Sequence, residues 1–238
     1  MVNPIIHLAL WQLALAFVPV AITLAILFKW SYDLGRAVYA LTRMLAQLLL
    51  IGYVLAWIFG AGNGVLILLV LLIMLLASSW IALGTVPAQR RALLGASVVS
   101  ISVGGGLTLA LITQVVLQIE PWYLPNHMIP LAGMVFANAM TAVSLAAERL
   151  YAELAYGAPW ESARLTAYQA AMIPVINSLF AVGLVSLPGM MTGQILSGVS
   201  PLIAARYQIV VMCMIFAASG ISTALFLAII RRRVTSPR

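Results

Sequence analysis

The sequence predicts an all-α polytopic membrane protein: about seven transmembrane helices in a single domain, N-terminus outside, C-terminus cytoplasmic. Three observations carry that prediction. The 238 residues are 64% hydrophobic and only 7% charged, with a mean hydropathy of +1.13, whereas a soluble domain carries roughly 25% charged residues. So little polar surface cannot face water, and lipid must be the solvent. Seven segments, at about 5–28, 40–59, 65–83, 93–118, 130–147, 170–191 and 207–230, approach the roughly 20 apolar residues that cross a bilayer core. Basic residues then orient them. Lys29, Arg36, Arg43, Arg90, Arg91, Arg149, Arg164, Arg231, Arg232, Arg233 and Arg238 fall on one set of connections, and only Arg206 on the other. Lys and Arg are retained on the cytoplasmic side.

Taken in order, the N-terminal stretch Met1 to His7 has no basic residue before its apolar run, so that run reads as a retained helix rather than a cleaved signal. Lys29 to Arg36 mixes aromatic and charged residues, as interfacial segments do. Either it forms an interfacial turn with Arg43 snorkelling toward the headgroups, or it is a charged loop before a late helix start. The net charge of +7 reflects these helix-end cations and implies no nucleic-acid partner. The single cysteine, Cys213, excludes an intrachain disulfide.

The fourth span contains Gly104-Gly105-Gly106. Each glycine costs about 1 kcal/mol in a helix relative to alanine. Either a neighbouring helix packs very close there or the helix breaks. The fifth span is rich in small residues (Ala132, Gly133, Ala139, Ala142, Ala146 and Ala147 among them), the composition of a face that packs on other helices.

Glu148 to Arg206 organises the rest. It opens with the longest polar interruption in the chain, about 148–169, and ends in Pro188-Gly189-Met190-Met191-Thr192-Gly193-Gln194. A docking surface outside the lipid followed by a broken helix within it suggests a transporter subunit. No phosphate-binding glycine loop carries a Lys, no His-Glu-x-x-His occurs, and no Asp or Glu falls mid-span. Proton relays use buried carboxylates or histidines, so a proton-coupled carrier and an intramembrane aspartyl protease are both disfavoured. Energy for transport must enter from a partner. In the polar segment, Gly157 ends one helix and Pro159 starts another, with Glu161 in its first turn. Glu161 and Arg164 are spaced to pair. The expected product is a short helix, Pro159 to Leu165, with Trp160 exposed near its tip; an ordinary loop is the plainer alternative.

Here a family resemblance emerges. Gly157-Ala158-Pro159-Trp160-Glu161-Ser162-Ala163 resembles the EAA-type loop of ABC transporter permeases, where a coupling helix sits in a cleft of the ATPase. Ser162 departs from the usual alanine. Asn138-Ala139-Met140-Thr141-Ala142-Val143-Ser144-Leu145, Ile173-Pro174-Val175-Ile176-Asn177, the run from Gly183 to Gly198 and Arg206-Tyr207-Gln208-Ile209 closely resemble the FetB family. Those are membrane subunits of bacterial ABC transporters implicated in iron export, with plant relatives linked to aluminium tolerance. The resemblance implies a permease of the bacterial cytoplasmic membrane, a homodimer bound to a cognate ATPase subunit that carries the ATP and Mg. This chain would bind no cofactor and would be a transporter subunit, not an enzyme. ATPase coupling would fall to Gly157, Ala158, Pro159, Trp160, Glu161, Ala163 and Arg164.

For the translocation pathway the candidates are Asn138, Asn177, Pro188, Gly189, Met190, Met191 and Gln194. Amides buried in lipid must face a lumen or another helix, as must Gln169 and Gln208, and Pro188-Gly189 frees backbone groups that need new partners. For a metal, Glu120 and His127 in the outer loop supply ligands suited to ferrous iron, whereas Met190, Met191, Met212, Cys213 and Met214 suit softer ions. No ligand cluster has diagnostic spacing, so iron rests on the resemblance. Other cargoes, a different metal or a sugar nucleotide, stay open, as does a membrane scaffold that transports nothing. An intramembrane enzyme would require proteolysis dependent on Ser186 or Ser197.

Overall fold

The computed structural model describes residues 9–30 and 34–235. Residues 5–8 of the expected first span (with His7), Ser31-Tyr32-Asp33 of the expected interfacial segment, and Arg238 lie outside the described residues. Among the described residues the chain is mostly helical and holds no strand, and six helices are long and apolar enough to cross a membrane. The expected span at 170–191 is present as two helices with a turn between them. The all-α expectation therefore holds, with six continuous spans and one interrupted.

The chain groups into two compact units, the first ending at Ala61 and the second beginning at Gly62. In the first, α1 (Leu10–Leu15) and α2 (Phe17–Lys29) meet at Ala16, whose helical backbone carries one into the other. Trp11–Lys29 is thus one span. Helix α3 (Leu34–Ala61) follows. Because it begins at Leu34, Arg36 and Arg43 are both helical, and the late helix start is excluded. Trp11, Phe28, Leu49 and Tyr53 all stand well exposed. A surface so apolar is suited to lipid rather than water.

In the second unit, α4 (Gly64–Ala82) ends in a 3₁₀ turn, Leu83–Thr85. The Asn63 side chain caps its start by accepting from the Val65 N–H at 2.9 Å. Arg90 caps its end: Nε and Nη2 both donate to the Trp80 carbonyl, at 3.1 and 2.8 Å. The guanidinium also lies 3.8 Å from the centre of the Trp80 ring. A cation on the last carbonyls of a helix answers both its unpaired acceptors and its dipole.

Helix α5 (Arg90–Ile101) passes without a break into a π-helical segment Ser102–Gly106, the short α6 (Leu107–Ala110) and a second π-helical segment Leu111–Val116. The glycine run is where this span meets its neighbours. A Cβ on Gly104 would sit 2.5 Å from the backbone nitrogen of Ser222, and one on Gly105 would sit 3.0 Å from Val135. Close packing is therefore the reason for Gly104 and Gly105, while Gly106 faces open space. The helix does not break; it widens by one residue per turn, which suits a span wedged between two others.

Helix α7 (Pro125–Ala155) is the centre of the unit, packed against α4, α8 (Trp160–Ala181) and α10 (Pro201–Thr235). Its small-residue face is buried as expected: Ala132, Ala139, Ala146 and Ala147 have no exposed surface. On α8, Ala163, Ala167 and Ala171 recur every fourth residue and are equally buried. That spacing draws one narrow stripe of small residues along the helix, which packs on α7 and α10. The eight-residue α9 (Gly189–Leu196) lies between α8 and α10.

Candidate functional site

Two regions hold the candidate residues, at opposite ends of the second unit. At one end α7 turns into α8. Gly157 takes a left-handed backbone, φ +82°. Its N–H bonds the Leu154 carbonyl at 3.0 Å, and the Ala158 N–H bonds that of Glu153 at 3.1 Å. This pair of bonds is the Schellman stop that glycine favours. Pro159 then caps α8 with extended backbone, and its carbonyl accepts from the Ala163 N–H at 3.0 Å.

Two expectations are corrected here. The helix starting at Trp160 is not a short one ending at Leu165. It runs 22 residues to Ala181, since no breaker interrupts its first turns and Pro174 is accommodated within it. Nor is Trp160 exposed: 9% of it is accessible, against 90% for Tyr156. The indole begins a helix that packs on α7 and α10, so its ring is covered, although its Nε1 has no hydrogen-bond partner there. Tyr156 is the exposed aromatic at this turn.

The charges pair as their spacing predicts, and more widely. Glu161 Oε2 lies 2.8 Å from Arg164, while its Oε1 lies 3.2 Å from Arg231 near the end of α10. Arg149 pairs with Glu153 one turn along α7. One carboxylate thus ties the start of α8 to the end of α10.

The second region is the interruption. Helix α8 stops at Ala181, seven residues before Pro188, and the chain folds into a tight loop. Gly183 is left-handed, φ +85°. Its N–H bonds the Ser186 carbonyl at 2.9 Å, and the N–H groups of Val185 and Ser186 both bond the Ala181 carbonyl. Pro188 caps α9, its carbonyl accepting from the Thr192 N–H at 3.0 Å and the Thr192 hydroxyl at 3.1 Å. A second Schellman stop at Gly198, φ +91°, closes α9. The interruption inferred from Pro188-Gly189 is present, and its freed backbone groups are largely re-paired locally.

Two cavities flank α9. One, of about 390 Å³, is lined by His127 at the start of α7, Met190 and Gln194 of α9, and Tyr207 of α10, with Asn126 beside them. The other, of about 360 Å³, is lined by Met191, Gln208, Met212 and Cys213. Three polar atoms on these walls are buried without a hydrogen-bond partner: His127 Nδ1, Gln194 Oε1 and Gln208 Oε1.

The structure thus brings Met190 and Gln194 together with His127, and directs Met191 to the other side. Asn138 joins neither cavity; its amide donates to the Met134 carbonyl at 2.8 Å within its own helix. Asn177 is exposed on α8. Glu120 is exposed in the outer loop and lines neither cavity. Among the described residues no three His, Cys, Asp or Glu side chains cluster. Asn126 and Tyr207 were missed, although each adjoins a residue singled out in the sequence, His127 and Gln208.

The chain has relatives among known proteins. It is 35% identical over 214 residues to the UPF0014 membrane protein slr1647 of Synechocystis, covering 84% of this chain and 83% of that one. It is 33% identical to the probable iron export permease protein FetB of Escherichia coli, over 89% of this chain and 86% of the relative. Protein ALUMINUM SENSITIVE 3 of Arabidopsis thaliana is 34% identical, over 86% and 80% respectively. No solved structure matches. The profile of the uncharacterised protein family UPF0014 matches residues 10–235, and this multi-pass membrane protein belongs to that family.

Proposed function

We propose that the chain is the membrane-spanning permease subunit of an ABC transporter of the bacterial cytoplasmic membrane, exporting a metal ion, iron foremost. It acts as a homodimer on a separate ATPase subunit that binds ATP and Mg. The observation that carries this reading is the continuity of α8. The helix begins at Trp160 in the polar segment and ends at Ala181, where the interrupted region starts. A partner that moves Gly157 to Arg164 therefore moves the interruption with them. Glu161, held between Arg164 and Arg231, extends that motion to α10, which lines both cavities. The relative named as a probable iron export permease supports the cargo. The positive-inside distribution of Lys and Arg supports a cytoplasmic polar segment, with the His127 end outside.

The test is ATP hydrolysis by the cognate ATPase reconstituted with this subunit in lipid, titrated with ferrous iron, other metal ions and nucleotide sugars. Selective stimulation by ferrous iron is the expected result. Stimulation by a nucleotide sugar alone would replace the cargo, and a subunit that neither binds nor stimulates the ATPase would overturn the reading.

A further inference from the structure

We propose that the cavity formed by His127, Met190 and Gln194 is a receiving site for a first-row transition-metal dication. The inference rests on the permease reading for its role and deepens it by naming the residues that meet the cargo. Two of the three unpaired buried polar atoms on the cavity walls, His127 Nδ1 and Gln194 Oε1, belong to this one cavity. Buried polar atoms are costly when left unpaired, so a ligand that engages both is favoured.

The donor types decide its class. An imidazole nitrogen, an amide oxygen and a thioether sulfur form a set of intermediate softness, suited to iron, cobalt or nickel rather than to magnesium or calcium. Asn126 and Tyr207 add oxygen donors on the same wall. No Lys or Arg lines the cavity, so a nucleotide sugar would find no counter-charge for its phosphates. Volume agrees. Six waters at roughly 30 Å³ each occupy about 180 Å³, so about 390 Å³ admits a dication that keeps part of its hydration shell.

The lining also holds no carboxylate. Neutral donors hold a dication loosely, and a site on a conduction path must release what it binds. The site occupies the end of the unit opposite the Glu161–Arg231 pair, since α7 starts beside His127 and ends at the turn into α8.

The test uses the full chain alone in lipid nanodiscs, titrated with cobalt(II) and followed by its visible ligand-field absorption. Binding that His127→Ala weakens at least tenfold and Gln194→Leu several-fold, with Glu120→Gln unchanged, is expected. The volume-conserving Met190→Leu should shift the absorption band even if His127→Ala proves poorly folded. Absence of saturable binding, or binding indifferent to all three lining substitutions, would overturn the site. Binding that depends on His127 but never alters ATPase activity would support the site and count against the permease reading. ATPase stimulation untouched by these variants would leave that reading intact and sink the site.

Discussion

The carboxylate of Glu161, in the first turn of α8, meets the guanidinium of Arg231, near the end of α10, at 3.2 Å, while also holding Arg164 at 2.8 Å. Two cations from distant parts of the chain thus share one acid. All three side chains are about half exposed, so the pairs add little to stability, on the order of 1 kcal/mol or less. Their value lies in geometry.

Glu161→Lys should therefore uncouple rather than unfold. It sets a third cation between two guanidinium groups and severs α8 from α10 at this end. Expected are a thermal midpoint within a few degrees of the parent and at least a tenfold loss of ATP-driven efflux from vesicles. An efflux rate equal to the parent's would contradict a coupling role for this turn.

Pro188→Leu tests the interruption. Leucine lets the backbone before α9 donate a hydrogen bond and lengthen the helix. Efflux should fall about tenfold with the subunit still assembled on its ATPase. A harmless substitution would favour a scaffold that transports nothing.

Gly104 and Gly106 stand two residues apart and should respond oppositely. Gly104→Ala drives a methyl toward the Ser222 backbone, so α10 must shift. A loss of several degrees in thermal midpoint, read by unfolding in detergent, is expected. Gly106 has nothing within 4 Å of its added Cβ, and Gly106→Ala should be neutral or stabilise by up to about 1 kcal/mol.

Arg90→Ala removes both bonds to the Trp80 carbonyl and the stacking on its ring. A destabilisation of about 1–2 kcal/mol is expected from losing the hydrogen bonds and the cation–π contact together. Arg90→Lys should recover only part of it, since an ammonium cannot form the forked bond while lying flat on the indole.

Local features were the legible ones. The helical spans, the Gly157 stop, the Glu161–Arg164 pair and the small-residue face of α7 each depend on spacing within a few turns, and spacing is what a sequence displays. The glycine run announced either a close approach or a break and could not name a partner, because Ser222 lies on a helix more than a hundred residues away. The same limit hid Arg231 from Glu161 and Gln194 from His127. Trp160 was misjudged because a residue at a helix tip has no periodic pattern to tell its buried side. The length of α8 was misjudged because a polar start looked like a separate element, whereas alanines at 163, 167 and 171 continue straight into the apolar turns.

Helix α8 has 22 residues and so measures about 33 Å at 1.5 Å per residue. It packs on α7 and α10, burying Ala163, Ala167 and Ala171 along one stripe with Trp160 at its start and Met172 and Val175 toward its other end. Pivoting about its middle by roughly 10°, such a rod swings each tip by about 3 Å; pivoting about one end, it swings the other by about 6 Å, near the 5.4 Å pitch of a helix. One continuous backbone thus joins the polar turn at Trp160 to the interruption beyond Ala181, so a displacement of either end is felt at the other.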